Sequence, residues 1–337
     1  MTVQLKNIIK YGITLAIAGT LFWLAFRNMP IGTMINDIKQ ADFSWIFVTV
    51  IIGITSHVLR ALRWNMLLQP IGYSPKPAST FMAIMIGYFA NIFVPRMGEV
   101  SRCAVLNKIE NVHFNAAFGT VVAERIVDLL SLMTIIGLSF VLEHQRFSDF
   151  FFNHLLKHDG KSSILTNPLV YIAIGPLLLI GIIWLFFKKQ ILASKLYAKV
   201  KTFVLGLVEG VLSIRKLRNR SLFILYTFLM WICYYLMTYL MFFSLPFTSG
   251  LDPLAGLVIL VVASLGMSAP VQGGIGAFHL LVSAALTLFY GLSDYQGKTY
   301  ATVVHTSQFL TMFVVGGVCS IVVLFYKRKA SPVPQNV

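Results

Sequence analysis

Residues 123–142 read AERIVDLLSLMTIIGLSFVL, a charged turn followed by an unbroken apolar run. The run from Leu129 to Leu142 makes only ~21 Å of helix at 1.5 Å per residue, whereas the hydrocarbon core of a bilayer is ~30 Å thick. The helix therefore needs the turn with Glu124, Arg125 and Asp128 to complete its crossing. We predict a membrane span that draws ionisable side chains below the headgroups.

The composition of the whole chain indicates that lipid is its main solvent. Of the 337 residues, 57% are hydrophobic and 12% are charged, about half the charged share of an ordinary soluble domain, and the mean hydropathy is +0.79. Runs long enough to cross a bilayer as helices cover residues 8–26, 45–62, 123–142, 168–187, 221–245 and 301–326. Three shorter, interrupted runs cover 81–94, 254–269 and 277–290. We predict an all-α, polytopic helical membrane protein with about six full spans.

The distribution of Lys and Arg predicts the orientation of the chain. The net charge is +15, but the basic residues punctuate the apolar runs instead of gathering on one surface, so a nucleic-acid partner is not expected. Short basic segments stay in the cytoplasm. Segments 6–10, 60–76, 96–108, 188–220 and 327–329 hold 20 of the 27 Lys and Arg. We therefore predict the cytoplasmic (inner) membrane of a bacterium, with both termini in the cytoplasm.

The same charge rule decides how the short apolar runs behave. If run 81–94 crossed fully, the basic stretch 96–108 would be forced outside, so we predict an inward-opening hairpin over 80–110. Runs 254–269 and 277–290 start and end outside, which predicts an outward-opening hairpin over 253–290, broken at Pro270 and the following glycines. Two re-entrant hairpins in inverted orientation are the pattern of an inverted-repeat transporter. Two ordinary kinked helical hairpins remain the alternative.

The predicted organisation is one transmembrane domain over residues 1–337. Its first half covers about 1–145 and its second half about 221–327, and a basic amphipathic linker, 188–220, joins them on the cytoplasmic side. Anionic headgroups of the inner leaflet would attract the lysines of such a helix. A plain connector that serves only as a topology signal fits the linker equally well.

Charged residues at the start of span 123–142 are the first candidate site. Glu124 and Asp128 share a helix face, and Arg125 is close enough to Asp128 for an ion pair. Ionisable residues within a membrane mark substrate or proton paths, although a purely structural ion pair is the alternative. Arg60 and Arg63, at the end of the second span, are interpreted mainly as interfacial anchors.

The mouth of the first hairpin is the second candidate site. Its polar residues are Asn91, Arg96, Glu99 and Arg102. Pro95 and Gly98 break the helix there, and planar guanidinium groups suit phosphate oxygens. Each arginine alone could instead snorkel to the interface.

The break in the second hairpin is the third candidate site. It contains Gln272, Gly273, Gly274 and Gly276, and His279 follows one turn on. Backbone N–H groups at a helix N-terminus favour an anionic headgroup, whereas glycines in membrane helices also simply permit close packing. His279 could donate or titrate, or pack as a satisfied histidine. No Cys or His spacing suits a metal, so neither a metal nor another cofactor is expected.

Four motifs, in this order and spacing, resemble the lysylphosphatidylglycerol synthase membrane-domain family, also described as flippase-like. They are Arg60-x-x-Arg63-Trp64, Asn91-x-x-x-Pro95-Arg96-x-Gly98-Glu99-x-x-Arg102, Glu124-Arg125-x-x-Asp128 and Pro270-x-x-Gly273-Gly274-x-Gly276. The resemblance spans about residues 8–327 and implies a multi-pass lipid-handling domain. In the fused synthases this domain is thought to move an aminoacylated phospholipid between leaflets. Their cytosolic aminoacyl-transfer domain has no counterpart in the eleven residues after Tyr326, so enzyme activity is not expected here.

The function that the sequence predicts is a lipid flippase or related lipid transporter. Its partner would be a phosphate-bearing lipid, either a membrane phospholipid or a polyprenyl-linked lipid, and a homodimer stays open. Arg96, Arg102 and the turn 273–276 would hold the phosphate, while Glu124, Arg125 and Asp128 line the path. The alternatives are an intramembrane enzyme that processes a lipid phosphate, with Glu124 or Asp128 as general base, and a non-catalytic scaffold for envelope assembly.

Overall fold

The computed structural model describes residues 16, 19–27, 29–146, 217–269 and 271–326. Within these ranges the α-helices are α1 (Ile31–Lys39), α2 (Phe43–Leu68), α3 (Pro77–Phe93), α4 (Met97–Glu110), α5 (Phe114–Leu142), α6 (Arg220–Met241), α7 (Pro253–Ser268), α8 (Ala277–Tyr290) and α9 (Asp294–Leu324), and residues 19–26 are also helical. The predicted span 168–187, nearly all of the linker 188–220 and most of run 8–26 lie outside the described residues.

Among the described residues, five helical segments are long and apolar enough to cross a membrane: Phe43–Ile71, Phe114–Leu142, Arg220–Ser244, Gln272–Tyr290 and Asp294–Leu324. The predicted class, a polytopic all-helical membrane protein, is confirmed. Four of these segments correspond to predicted full spans, but three of the helices are appreciably longer than the apolar runs. α2 continues nearly two turns past Leu62, and α9 begins at Asp294 with a Ser293–Gln296 capping box. Hydropathy marks the apolar part of a helix, whereas capping and ion pairs fix where it ends.

Polar contacts gather the ends of the helices into two groups. At the upper end, Asp42 N donates to Ser244 O (2.9 Å), and Arg146 contacts both Asp252 (3.1 Å) and Phe289 O (3.2 Å). The upper end thus comprises residues 37–42, 143–146, 244–252 and 289–295.

The lower end comprises residues 69–79, 107–114 and 217–220. There the hydroxyl of Ser79 donates to Glu110, and Asn65 Nδ2 donates to Pro75 O (3.1 Å). The described parts of the predicted cytoplasmic stretches, 60–76, 96–108 and 217–220, each reach the lower end, although Arg60 and Arg96 lie deeper in the molecule. The described parts of the stretches predicted to be external reach the upper end.

The first hairpin, α3 with α4, starts and ends at the lower end. α3 stops at Phe93 because the residue before a proline disfavours helical geometry, and Val94 is accordingly extended. The chain then reverses through Arg96, whose φ of 63° is in the left-handed region. Gly98 permits the close approach of the two arms: a Cβ there would lie 2.6 Å from Gly87 O.

The second hairpin, α7 with α8, starts and ends at the upper end. Its turn contains the short 3₁₀ helix Gln272–Gly274, and Gly273, Gly274 and Gly276 all have positive φ. The arms again meet at a glycine, because a Cβ on Gly266 would lie 2.8 Å from Phe278 Cα. Gln272–Tyr290 is long enough to cross a membrane, but here it serves as the return arm of this hairpin.

The two hairpin tips meet near the middle of the molecule. α3 has 17 residues (~25 Å) and α7 has 16 (~24 Å), whereas α9, which runs from one end to the other, has 31 (~46 Å). The 3₁₀ turn Gln272–Gly274 contacts α3, and His305, at about the middle of α9, is 2.8 Å from Gly273 O. The broken hairpins in inverted orientation are thereby confirmed.

The apolar core is divided in the same way. One buried cluster, with Trp64, Leu106 and Phe223 among its largest members, lies around the first hairpin, and another, with Phe242, Phe278 and Tyr300, lies around the second. Each hairpin is thus anchored at its own end of the molecule, and the polar groups of the tips lie between the two cores.

Candidate functional site

A buried ion network links α2, α4 and α5 below the hairpin tips. Glu124 accepts from Arg63 Nη2 (3.2 Å) and from Arg102 Nη1 (2.9 Å), and Arg60 Nε lies 2.9 Å from its Oε1. Asp128 accepts from Arg63 Nη2 (2.6 Å) and from Arg60. Glu124 is fully buried, whereas the side chain of Asp128 is 14% exposed. The two carboxylates do share one helix face, as predicted, and both face arginines.

Aromatic side chains enclose this network. The Arg102 guanidinium lies 4.8 Å from the centroid of the Trp64 ring, and Trp64 Nε1 donates to Thr120 Oγ1 (2.8 Å). Arg63 lies over Phe223, and Arg60 donates to the hydroxyl of Tyr88. A low-dielectric shell of this kind strengthens each ion pair and makes an unpaired charge costly.

Three expectations about this region are wrong. Arg60 and Arg63 are not interfacial anchors, because α2 extends to Leu68 and places both side chains inside the protein. Arg125 does not pair with Asp128; it lies 2.8 Å from Glu99, and its side chain is 44% exposed.

Arg102, predicted to hold a phosphate, is instead buried and bonded to Glu124. The shared cause is the packing of α2 and α4 against α5. This packing brings Arg60, Arg63 and Arg102 to the two carboxylates, whereas local spacing pairs Asp128 with Arg125.

A cavity of about 400 Å³, here called the central cavity, lies between α2, α5, α6, α7 and α9. Most of its wall is apolar, with Leu129, Met237 and Leu260 as examples. Its polar wall includes Arg60 and Asp128 of the ion network. A largely apolar cavity with a few convergent polar groups is the common form of a small-molecule site.

A second cavity of about 330 Å³, here called the tip cavity, lies where the two hairpins meet. The first hairpin contributes Asn91, Arg96 and Glu99, and the second contributes the turn around Gly273 and Gly274. Arg96 is exposed, and no hydrogen bond or ion pair joins it to another described residue. Asn91 Oδ1 accepts from Gly98 N (2.6 Å), which fixes the turn that carries Arg96.

The two cavities adjoin. Five side chains line both of them and form the wall between: Tyr88, Arg125, Met267, Gln308 and Met312. Four of the five, all except Tyr88, are long and flexible and can rotate without moving a helix. Rotation of these side chains would therefore connect the two cavities into one space that reaches from the tips to the ion network.

The predicted site residues fall into two groups. Those that line a cavity are Asn91, Arg96, Glu99, Arg125, Asp128, Gly273 and Gly274. Those that line neither cavity are Arg102, Glu124, Gln272, Gly276 and His279.

Within the second group, Arg102 is bonded to Glu124, and Gly276 and His279 pack in the second hairpin. A Cβ on Gly276 would lie 2.6 Å from Leu21, and His279 is buried against Phe26 and His305. These two residues pack the second hairpin, and His279 Nδ1, like Gln272 Oε1, is buried without a hydrogen-bond partner among the described residues.

Sequence reasoning missed several residues of the central cavity: Arg60, His57, Tyr88, Trp231 and Gln308. A signal for Arg60 existed, since Arg60 and Arg63 are one helical turn apart, as are Glu124 and Asp128. If the two pairs lie at the same depth in the membrane, the two arginines on one helix can form ion pairs with the two carboxylates on the other. The neutral residues carried no such signal. Among the described residues no group of three or more His, Cys, Asp or Glu could hold a metal ion.

The four motifs of the tips and the ion network coincide with the region matched by one protein family. The family pattern described as lysylphosphatidylglycerol synthase TM region matches residues 10–316, which is most of the chain. The chain belongs to this lysylphosphatidylglycerol synthase transmembrane-region family. The predicted family is thereby confirmed, and the match includes both hairpins, both cavities and the ion network.

Several relatives of this chain are archaeal proteins. A UPF0104 membrane protein of Pyrococcus horikoshii is 24% identical over 305 residues, which are 82% of this chain and 85% of that protein. A UPF0104 membrane protein of Methanocaldococcus jannaschii is 30% identical over 118 residues, 34% of this chain and 35% of that protein.

One relative is named for an enzyme activity. Glycosyltransferase AglD of Haloferax volcanii is 28% identical over 109 residues, 32% of this chain but 18% of that protein. Most of the glycosyltransferase thus lies outside the matched part. No solved structure matches the chain.

Proposed function

We propose that the protein is a transporter that moves a phosphate-bearing lipid between the leaflets of the cytoplasmic membrane. The observation that carries this proposal is the meeting of two oppositely directed hairpin tips at the adjoining tip and central cavities. Broken helices that meet near the middle of a membrane protein are where transporters of this architecture bind their substrates. The proposed activity is transport without covalent chemistry.

The walls of the adjoining cavities suit the two parts of a lipid. Arg96 and Arg125 offer planar donors at the tip cavity, and a phosphate oxygen accepts well from such donors. The central cavity continues with an apolar wall that can contact acyl or prenyl chains. A headgroup on this route avoids the hydrocarbon core, where a charge costs several kcal/mol.

The backbone at Arg96 gives additional support. A left-handed conformation at a residue other than glycine costs of order 1–3 kcal/mol, and such residues cluster at binding sites and switch regions. Here the conformation points the chain back into α4 and leaves the arginine side chain at the cavity between the hairpins. The family name adds that a synthase containing this region makes lysylphosphatidylglycerol, itself a phosphate-bearing lipid.

Reconstitution tests the proposal. The protein is placed in vesicles that contain fluorescent phospholipids, and an impermeant quencher measures how fast inner-leaflet lipid reaches the outer leaflet. We expect movement well above that of empty vesicles, and a loss of roughly tenfold in Arg96→Ala, because one charge-assisted hydrogen bond is worth ~1.5–3 kcal/mol. Arg218→Ala is the matched control, since this exposed arginine is at the lower end, away from both cavities.

The alternatives give different results in the same assay. Movement no faster than in empty vesicles, across anionic, zwitterionic and polyprenyl lipids, would contradict transport. A chemically altered lipid recovered from the vesicles would instead favour an intramembrane enzyme. Full activity of Arg96→Ala in a cell, with loss on changing exposed apolar residues, would favour a scaffold.

A further inference from the structure

The buried ion network is not neutral. It contains three guanidinium groups, from Arg60, Arg63 and Arg102, and two carboxylates, from Glu124 and Asp128. The nearby Arg125 is paired with Glu99, so this pair adds nothing to the net charge of the network. The network therefore carries one net positive charge in a region where Arg63 and Glu124 have no exposed surface. An uncompensated buried charge is unfavourable, and a bound anion would remove the penalty.

Arg60 is the point at which this charge reaches a cavity. Of the three arginines of the network, only Arg60 lines the central cavity. A guanidinium group has five N–H donors. Nη1 of Arg60 donates to Tyr88 and Nη2 donates to Asp128, which leaves one N–H on each terminal nitrogen with no assigned partner among the described residues. Nε lies 2.9 Å from Glu124 Oε1 as an ion-pair contact but makes no hydrogen bond.

Two further ring nitrogens at the same cavity lack partners. The indole nitrogen of Trp231 is a donor, and His57 Nδ1 is a donor in the tautomer that carries its proton there. His57 Nδ1 and Trp231 Nε1 are buried and have no hydrogen-bond partner among the described residues. Both side chains line the central cavity, and His57 is only 6% exposed. Buried polar groups are nearly always hydrogen-bonded, so a ligand atom is the natural partner here. The Tyr88 hydroxyl accepts from Arg60, and its own hydrogen can donate to the same ligand.

We propose that the central cavity binds the singly charged phosphodiester of a phospholipid, on Arg60, His57, Tyr88 and Trp231. One negative charge neutralises the network, whereas a diphosphate with two or more charges would reverse its sign. The apolar remainder of the cavity contacts the acyl chains. This assignment rests on the proposed lipid ligand, and it selects a phospholipid over a polyprenyl diphosphate. It also places the phosphate deeper than the tip cavity, with Arg96 at the entrance.

The test is a binding titration with three ligands that share their acyl chains. Purified protein in an uncharged detergent is titrated with dioctanoyl phosphatidylglycerol, dioctanoylglycerol and dioctanoylglycerol pyrophosphate. We expect the phosphodiester to bind about tenfold or more tightly than either of the others.

Trp231→Phe keeps the aromatic ring and removes the N–H, and His57→Phe keeps a ring and removes both nitrogens. Each should weaken only the binding of the phosphodiester, by about tenfold. Trp45→Phe is the matched control, because Trp45 packs on Phe243 and lines neither cavity.

Three results would overturn the assignment. The first is equal binding of the ligands with and without phosphate. The second is an equal loss for all three ligands in Trp231→Phe and His57→Phe, which would show a change of cavity shape. The third is phosphate-dependent binding that both variants leave intact and Arg96→Ala abolishes, which would move the phosphate to the tip cavity.

The outcome is separable from that of the transport assay. Phosphate-dependent binding in a protein that moves no lipid would refute transport and leave this site standing. Transport that does not depend on His57 or Trp231 would leave the proposed function standing and remove the site.

Discussion

At the scale of single residues, Glu124 holds the centre of the molecule together. Its two carboxylate oxygens are shared among arginines of α2 and α4, and no water reaches it. Asp128 bonds two of the same arginines but also borders the central cavity. The two acids are therefore similar in chemistry and different in surroundings.

Glu124→Gln should destabilise the protein much more than Asp128→Asn. Removing the Glu124 charge leaves three buried guanidinium groups with one carboxylate, a change that costs ~3–5 kcal/mol in comparable buried pairs. At Asp128 the cavity can supply water, so the cost is smaller. Glu99→Gln is the control, because its exposed pair with Arg125 contributes only ~0–1 kcal/mol. Thermal unfolding in detergent measures all three, and a Glu124→Gln midpoint no lower than that of Glu99→Gln would contradict this ranking.

The residue scale also shows what the sequence could and could not predict about the site. Intramembrane carboxylates are recognisable because hydrocarbon penalises them, so Glu124 and Asp128 were identifiable. Their partners depend on which helices pack together, and Arg60 and Arg63 are more than 60 positions away, at separations of 61 to 68 residues. In the sequence, neutral cavity residues such as Trp231 look the same as other residues of an apolar run. Local spacing predicts ion pairs within one helix, whereas the ion pairs of the network form between helices that pack together.

At the scale of elements, close glycine contacts set the position of each hairpin tip. Gly98→Ala should separate the arms of the first hairpin, since the added Cβ would lie 2.6 Å from Gly87 O and 2.5 Å from Asn91 Nδ2. Overpacking of this kind costs ~1–3 kcal/mol, and here it would also displace the turn that carries Arg96. We expect a lower unfolding midpoint together with slower lipid movement.

Gly137→Ala is the comparison for this variant. Gly137 is in α5, and a Cβ there meets nothing within 4 Å. Alanine is also the better helix former, so stability should be unchanged or slightly higher. Equal behaviour of the two variants would mean that the hairpin arms tolerate separation, and the tip would not be fixed by this contact.

The existence of the hairpins was predictable from local residues, whereas their meeting was expected only from the inverted-repeat pattern. Proline and glycine interrupt helices by local geometry, so the breaks near Pro95 and Gly273 follow from the residues themselves. The charge rule then gave each hairpin a side of the membrane. That the 3₁₀ turn of one hairpin would contact α3 of the other depends on helix lengths and on packing against α9. Neither is encoded in a short stretch of residues.

At the scale of the whole molecule, the two ends differ in charge as well as in the hairpin that they hold. The upper end carries the acids Asp37, Asp42, Glu143, Asp252 and Asp294, whereas Arg218 and Arg220 are at the lower end. Because basic residues stay in the cytoplasm, the lower end should face the cytoplasm and the upper end the exterior. A phosphate-bearing lipid from either leaflet would then meet Arg96 in the tip cavity, near the middle of the molecule.

Cysteine labelling in cells tests this orientation. With the native cysteines replaced, Ser249→Cys at the upper end should react with a membrane-impermeant maleimide added outside. Ser74→Cys and Lys108→Cys, on either side of the first hairpin, should react only after the membrane is permeabilised. All three positions are exposed, so access to the reagent and not burial decides the result. If Ser74→Cys were labelled from outside and Ser249→Cys were protected, the orientation of the protein in the membrane would be the reverse of the one predicted. Labelling of Ser74→Cys and Lys108→Cys from opposite sides would mean that the first hairpin crosses the membrane only once, and the adjoining cavities could not form as described.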